Sequence, residues 1–219
     1  MRPTFKSEFL PVVLLLASWA LVAWYWPHLP AEVPTHWGVY GQPNQWSPRA
    51  VGALLGPGIA TLMYALLTLI PYIDPRSEHY REFAGVYPVL KNALMAFFLL
   101  LTYLTLAASV SPSHALPSQW MNAAIGLLFI VMGNYLPKVR SNWFVGVRTP
   151  WTLSSEEVWY RTHRIVGALM VGCGVLMLLS WPLSAGWRFG IVIGSAIALS
   201  VVSIGYSYWL FHRLTTRHS

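Results

Sequence analysis

The residue types that carry out chemistry are sparse in this chain and gather in two stretches. The denser one, PKVRSNWFVGVRTPWTLSSEEVWYRT from Pro137 to Thr162 with His163 and Arg164 directly after it, brings together two carboxylates (Glu156, Glu157), an imidazole and the guanidinium groups of Arg148 and Arg164. Acid, base and anion-binding groups are the parts from which a general acid–base site is assembled. The local pattern already assigns some of them elsewhere. Ser154 followed three residues later by Glu157 has the spacing of a capping box, which predicts a helix beginning there and running through His163. Glu157 and Arg161 then stand one turn apart, in the order that supports a helix. No known nucleophile, metal or phosphate motif accompanies them. Glu156, Trp159, Tyr160 and His163 share one side of the expected helix, a side that either lines a pocket or rests on lipid headgroups. Ahead of it, Asn142, Gly146 and Arg148 to Pro150 predict a turn that aims a guanidinium at a fixed acceptor: helix-end carbonyls, a carboxylate or a lipid phosphate.

The second stretch, PHLPAEVPTHWGVYGQPNQWSPRA, runs from Pro27 to Ala50. Pro27, Pro30, Pro34, Pro43 and Pro48 restrict its backbone, while Trp37, Tyr40 and Trp46 supply apolar surface that is costly to leave in water. Val33, Thr35, Trp37 and Val39 alternate, so a brief strand turning at Gly41 to Asn44 is expected. His36 and Glu32 are the candidate metal ligands. One imidazole and one carboxylate are too few to hold a metal, and a hydrogen-bonded structural histidine is the expectation for His36. Neither a metal nor a cofactor is expected.

What must position these stretches is legible in the composition. Of 219 residues, 56% are apolar and 10% charged, against about 25% charged in a typical soluble domain, and the mean hydropathy is +0.51. Six runs have the length of a membrane span: Phe9–Trp26, Val51–Ile73, Pro88–Val110, Gln119–Leu136, Ile165–Trp181 and Phe189–Phe211. The net charge of +7 raises the question of a nucleic-acid partner, and the placement of the fourteen Lys and Arg residues answers it. Arg2, Lys6, Arg76, Arg81, Lys91, Lys138, Arg140, Arg148, Arg161, Arg164, Arg213 and Arg217 fall on one side of the spans, and Arg49 and Arg188 alone on the other. That split is the positive-inside pattern of a polytopic protein with both termini cytoplasmic, and no nucleic-acid partner is implied. Trp24, Trp26, Trp120, Trp181 and Trp187 fall near the outer interface and Trp209 near the inner one. Arg2 and Lys6 before an apolar run, with Ser18 and Ala20, also suit a signal peptide, but apolar sequence continues to Trp26 and predicts a retained first helix. The single cysteine, Cys173, lies inside the fifth span as a packing residue, so no intrachain disulfide is available.

Between their interfacial ends the six spans carry no Asp, Glu, Lys, Arg or His, and Asn134 is the main polar exception. Proton-driven carriers usually place ionisable groups at mid-membrane, so such a transporter is disfavoured, while one using backbone carbonyls of a broken helix is not. Gly56, Pro57 and Gly58 either break the second span or kink a closely packed helix. Small residues four apart at Gly52 and Gly56, at Ala168 and Gly172, and at Gly190, Gly194 and Ala198 predict packing faces in a compact bundle, with self-association as a further option.

The stretch GNYLPKVRSNWFVGVRTPWTLSSEEVWYRTHRIVG, Gly133 to Gly167, resembles the signature of the SdpI-type immunity proteins, bacterial membrane proteins named for resistance to a sporulation-delaying toxin. The likeness runs through Gly133, Asn134, Lys138, Arg140, Asn142, Gly146, Arg148 to Ser154, Trp159, His163, Arg164 and Gly167. The outer stretch LPAEVPTHWGVYGQPNQWSPR is similar to the domain of unknown function that commonly precedes that signature, whose pattern has a Pro, a His-Trp pair, a Gly and a later Trp followed by a basic residue. The chain departs from that pattern at Gly38, where Asn is usual, at Asn44, where Asp is usual, and at Arg49, where Lys is usual. The resemblance implies immunity to a toxin and, as in the family's founding example, retention of a transcriptional repressor at the membrane.

The expectation is therefore an all-α polytopic protein of six transmembrane helices in a bacterial cytoplasmic membrane, with a structured outer loop between the first two spans and a basic inner loop between the fourth and fifth. Residues 1–75 would form an N-terminal helical hairpin, and residues 88–212 a four-helix membrane domain carrying the cytoplasmic loop 137–162. The candidate ligand-binding residues are His36, Trp37 and Trp46 outside, and Asn134, Asn142, Arg148, Glu156, Trp159, His163 and Arg164 inside. The expected activity is binding of a membrane-active toxin or antimicrobial peptide, with occupancy relayed to a cytoplasmic regulator. A small-molecule transporter or flippase and an interfacial membrane enzyme are the alternatives. The bilayer is the expected partner, with a peptide toxin, a cytoplasmic repressor and a second copy of the chain as further ones.

Overall fold

Thr4 opens the first helix, α1 (Phe5–Tyr25), with a capping box: its side chain accepts from the Ser7 N–H while Ser7 reaches back to the Thr4 N–H. The computed structural model describes residues 4–111 and 113–216, so Arg2 and Arg217 of the charge count lie outside the described residues. After a 3₁₀ turn at Trp26–His28 come β1 (Glu32–Trp37), β2 (Pro43–Pro48) and α2 (Arg49–Ile73). A second 3₁₀ turn (Ser77–Arg81) leads to α3 (Tyr87–Val110), α4 (Ser118–Tyr135), a third 3₁₀ turn (Leu136–Lys138), α5 (Pro150–Ser154), α6 (Glu156–Leu179) and α7 (Ala185–Thr215). Every helix but α5 is long and apolar enough to cross a membrane, and the chain is a multi-pass membrane protein. The strands form an antiparallel hairpin with Val33 opposite Ser47 and Pro34 opposite Trp46.

One end of the bundle carries this hairpin and the α3–α4 and α6–α7 connections; it is called here the hairpin end. The other, the basic end, carries the α2–α3 connection and the long α4–α6 connection. Each end has its own apolar cluster. Val22, Leu29, Val33, Ala53 and Leu106 pack beneath the hairpin, and Leu67, Tyr80, Phe83, Tyr87, Leu90, Val139 and Trp159 pack at the basic end.

Helices α4 and α6 are in backbone contact. A Cβ on Gly126 would lie 2.9 Å from the Gly174 carbonyl oxygen, and one on Gly133 2.6 Å from that of Gly167, so only glycine permits this approach. Gly52 and Gly56 do form a packing face as expected: Gly52 receives the Val33 side chain, and a Cβ on Gly56 would stand 2.7 Å from Thr102 Oγ1. The other expected faces are corrected. A Cβ on Gly172 of α6, or on Gly190 or Gly194 of α7, would meet nothing within 4 Å among the described residues; α7 touches the bundle through a narrow stripe in which Ser195, Ser207 and Leu210 are buried. Helix α2 is continuous through Pro57, not broken, and the Thr61 hydroxyl donates to the Pro57 carbonyl at 2.7 Å.

One further expectation needs correction. The α6 N-cap is Ser155, not Ser154: Ser155 Oγ accepts from the Val158 N–H at 3.4 Å, whereas Ser154 ends α5 and donates to the Pro150 carbonyl at 2.6 Å. Both serines qualify by type, and α5 claims the first. The expected Glu157–Arg161 pair is present, at 2.5 Å. The interfacial ends of the spans, where charge was expected, hold an ion pair. Lys91, 3% exposed and one turn into α3, places Nζ 2.8 Å from both carboxylate oxygens of Glu8 on α1. Tyr64 of α2 donates to Glu8 Oε2 at 2.9 Å, so the cluster ties three helices together.

Candidate functional site

At the hairpin end, the short alternating strand turns Val33 down onto α2 and His36 outward. His36 is exposed, and its Nδ1–H donates to Asn44 Oδ1 across the hairpin at 2.6 Å. Thr35 and Ser47 hydroxyls meet at 3.1 Å. The Trp37 indole N–H donates to the His114 carbonyl at 2.9 Å, and the Trp46 ring stands edge-on to the His114 ring with centroids 5.1 Å apart. Gly41, at φ +78°, lies against the Leu116 carbonyl, and its own carbonyl accepts from the Leu116 N–H at 2.8 Å. A side chain would be strained in that conformation and would collide there. The hairpin is thus clamped between α2 and the α3–α4 connection. The sequence-predicted trio His36, Trp37 and Trp46 lies together on it, with Trp46 and Tyr40 exposed. Both arginines of this end are engaged in structure: Arg49 Nε donates to the Pro30 carbonyl at 3.0 Å, and Arg188 Nη2 to Ser118 Oγ at 2.9 Å.

At the basic end, the α4–α6 connection is held by a buried polar clasp. Asp74, the C-cap of α2, accepts from the Arg76 N–H at 2.8 Å, the Tyr80 hydroxyl at 2.9 Å and the Trp143 N–H at 3.0 Å. Burial pushes the Tyr80 phenol far above its usual range, and the carboxylate of Asp74 beside it adds to the shift. Asn142 is fully buried. Its Nδ2 donates to the Arg140 and Val145 carbonyls at 2.8 and 2.9 Å, and its Oδ1 accepts from the Phe144 and Val145 N–H groups at 2.9 and 2.6 Å. Arg76 donates to Ser141 Oγ and, at 2.9 Å, to the Leu153 carbonyl.

The same connection is fixed to α6. The Val147 N–H donates to His163 Nε2 at 3.0 Å, and His163 Nδ1–H donates to the Trp159 carbonyl at 2.8 Å. The neutral Nδ1–H ring satisfies both bonds. It stacks on Trp159 with centroids 4.0 Å apart, while the Trp159 indole donates to the Val139 carbonyl at 2.8 Å. Gly146, at φ +116°, leaves room for the ring: a Cβ there would run into His163 Nε2. Thr149 forms a capping box with Thr152 and reaches Ser207 of α7 at 3.0 Å.

Of the sequence-predicted inner residues, Asn142, Trp159 and His163 are brought together as buried parts of this clasp. Arg148 is exposed and meets a carbonyl acceptor, that of Trp143, at 2.9 Å. Glu156 lines a polar cavity of about 290 Å³ beside the clasp, with Trp159 and Tyr160. Asn134 and Arg164 are exposed and separate from the group. The acid–base set does not converge, because both His163 nitrogens and Glu157 Oε1 are already bonded. No group of three or more His, Cys, Asp or Glu side chains among the described residues is placed to hold a metal. Sequence reasoning missed Asp74, Tyr80, the walls His79 and Glu82 of that cavity, and the Glu8–Lys91 pair. One signal was available: Asp74 is the single aspartate of the chain and directly follows an apolar run.

Residues 138–207 match the family model described as the SdpI/YfhL protein family, and residues 13–61 match that described as Domain of unknown function (DUF1648). The chain is 22% identical over 214 residues to "Immunity protein SdpI" of Bacillus subtilis (strain 168), an alignment covering 95% of this chain and 98% of that protein. No solved structure matches the chain.

Proposed function

We infer that this chain, an SdpI-type membrane protein by its two matched segments and its end-to-end similarity to an immunity protein, is itself an immunity protein. Its hairpin end faces outward and engages a membrane-active toxin, and its basic end faces the cytoplasm and reports occupancy to a regulator. In this reading the protein acts by binding and no bond is made or broken. The observation that carries the reading is the course of α2. The hairpin's last strand residue, Pro48, is followed directly by the first residue of α2, Arg49. The last, Ile73, is followed by Asp74, whose carboxylate holds the Trp143 N–H of the inner loop. A helix of 25 residues is a stiff connector roughly 38 Å long. A peptide that shifts the hairpin acts on Gly52 through Val33 and on Asp74 through the helix itself.

The outer surface suits such a ligand. Trp46 and Tyr40 stand exposed on a backbone fixed at both sides, so burying them against an amphipathic peptide would cost little ordering entropy. Trp37 and His36 hold the platform. The test is survival of a sensitive bacterium expressing the chain and exposed to membrane-active peptides. Wild type is expected to protect; Trp46→Ala with Tyr40→Ala is expected to abolish protection at unchanged membrane abundance. Full protection by that double variant would remove the hairpin from the mechanism.

A further inference from the structure

We propose that the polar cavity at the basic end is a binding site for a phosphate ester carrying a primary amine, the headgroup chemistry of phosphatidylethanolamine. The cavity measures about 290 Å³, and its walls carry both signs of charge: Lys138 and Arg140 together with Glu82 and Glu156, and beside them His79 and Tyr160. The charges are underused. Glu156 is exposed, and its carboxylate makes no hydrogen bond or ion pair among the described residues. Lys138 Nζ faces the Tyr135 ring, 4.5 Å from its centroid, and no carboxylate among the described residues. Arg140 meets Glu82 through Nε at 3.1 Å, a pair more than half exposed on both sides, and its terminal nitrogens have no partner among the described residues. His79 Nδ1–H donates to the Ser141 carbonyl at 2.6 Å, which leaves Nε2 as an acceptor.

A ligand that satisfies all of these groups needs an anion for Lys138 and Arg140 and, within a few bonds, an ammonium for Glu82, Glu156 and His79 Nε2. A phosphate joined to a primary amine through two carbons has that layout. A trimethylated amine has no N–H to give the two carboxylates, and a purely anionic headgroup would face them with like charge. The depth of the cavity favours a lipid source. Its walls lie at the ends of three spans: Glu82 ahead of α3, Pro137 to Ser141 after α4, and Glu156 to Tyr160 in the first turns of α6. With 24 residues, α6 is roughly 36 Å long against a hydrocarbon core of about 30 Å, so its first turn stands at headgroup level.

The test uses the full chain in detergent, with bound lipid read by native mass spectrometry after titration with equimolar phosphatidylethanolamine, phosphatidylcholine and phosphatidylglycerol. Wild type is expected to retain phosphatidylethanolamine about tenfold over phosphatidylcholine, the order of one charge-assisted hydrogen bond. Glu156→Gln with Glu82→Gln is expected to bring that ratio to about one, and Lys138→Ala with Arg140→Ala to weaken retention of every phospholipid. These side chains are exposed, so an unchanged thermal midpoint verifies folding in each variant. Displacement of the lipid by water-soluble phosphoethanolamine at matching concentration would assign the same chemistry to a soluble ligand. Tighter retention of phosphatidylglycerol, a ratio unchanged in the Gln variant, or a co-purified peptide in place of lipid would overturn the proposal.

Discussion

Tyr80 donates its phenolic hydrogen to Asp74 Oδ2 at 2.9 Å, and that oxygen also accepts the backbone N–H of Trp143 at 3.0 Å. Two connections more than sixty residues apart in the chain therefore share one carboxylate. Removing it with Asp74→Ala leaves the Trp143 amide without its acceptor and the buried Tyr80 phenol with only Asn142 Oδ1, at 3.3 Å, at a cost of about 2–4 kcal/mol. The expected result is a lower thermal midpoint together with faster trypsin cleavage at Arg148. Asp74→Asn, which keeps one acceptor oxygen, should fall between. An unaltered cleavage rate in Asp74→Ala would show that the clasp does not hold the loop.

The α4–α6 contact makes a contrast within one residue type. Gly133→Leu forces apart two backbones that now touch, a strain on the order of 1–3 kcal/mol or more, and is expected to lower the yield of folded protein. Gly190→Leu, on an open face of α7, should leave yield and midpoint unchanged. Size-exclusion profiles of the two variants in detergent would check the pair.

Lys91 and Glu8 predict a non-additive pair. Lys91→Met leaves the Glu8 carboxylate, 20% exposed, beside an apolar neighbour with the Tyr64 and Ser7 hydroxyls as its donors among the described residues, and a loss of about 1–3 kcal/mol is expected. Adding Glu8→Gln should recover most of it. Equal losses in the single and double variants, by thermal unfolding in detergent, would contradict this.

Orientation is open to labelling. In a Cys173→Ala background, a membrane-impermeant maleimide added to intact cells should modify Tyr40→Cys and spare Arg148→Cys. The reverse pattern would invert the reading of which end faces outward.

The spans were legible because apolar length is a local property of the sequence, and the hairpin because alternation and turn residues are local as well. The α6 cap was misplaced by one residue because Ser154 and Ser155 are equally good caps and only the presence of α5 decides between them. Packing faces were misread for a related reason: small residues recur at four-residue spacing on several helices, and the neighbour determines which are used. Gly126 and Gly174 meet α6 and α4, whereas a Cβ on Gly190 would meet nothing within 4 Å among the described residues. The clasp was invisible because its central carboxylate lies 69 positions from the amide it holds. Among the inner candidates, motif reading found the buried group Asn142, Trp159 and His163 but did not separate it from Asn134 and Arg164, which share the same run of sequence and point away.

The absence of any linker between Pro48 and Arg49 bears on how relatives can be recombined. A chimera that exchanges the hairpin alone would graft a foreign strand onto a helix whose rotational phase is set by Val33 seated on Gly52, and one residue of slippage would turn that helix by about 100°. Hairpin swaps should therefore be spliced beyond Asp74, so that the donor's strands arrive with their own shaft.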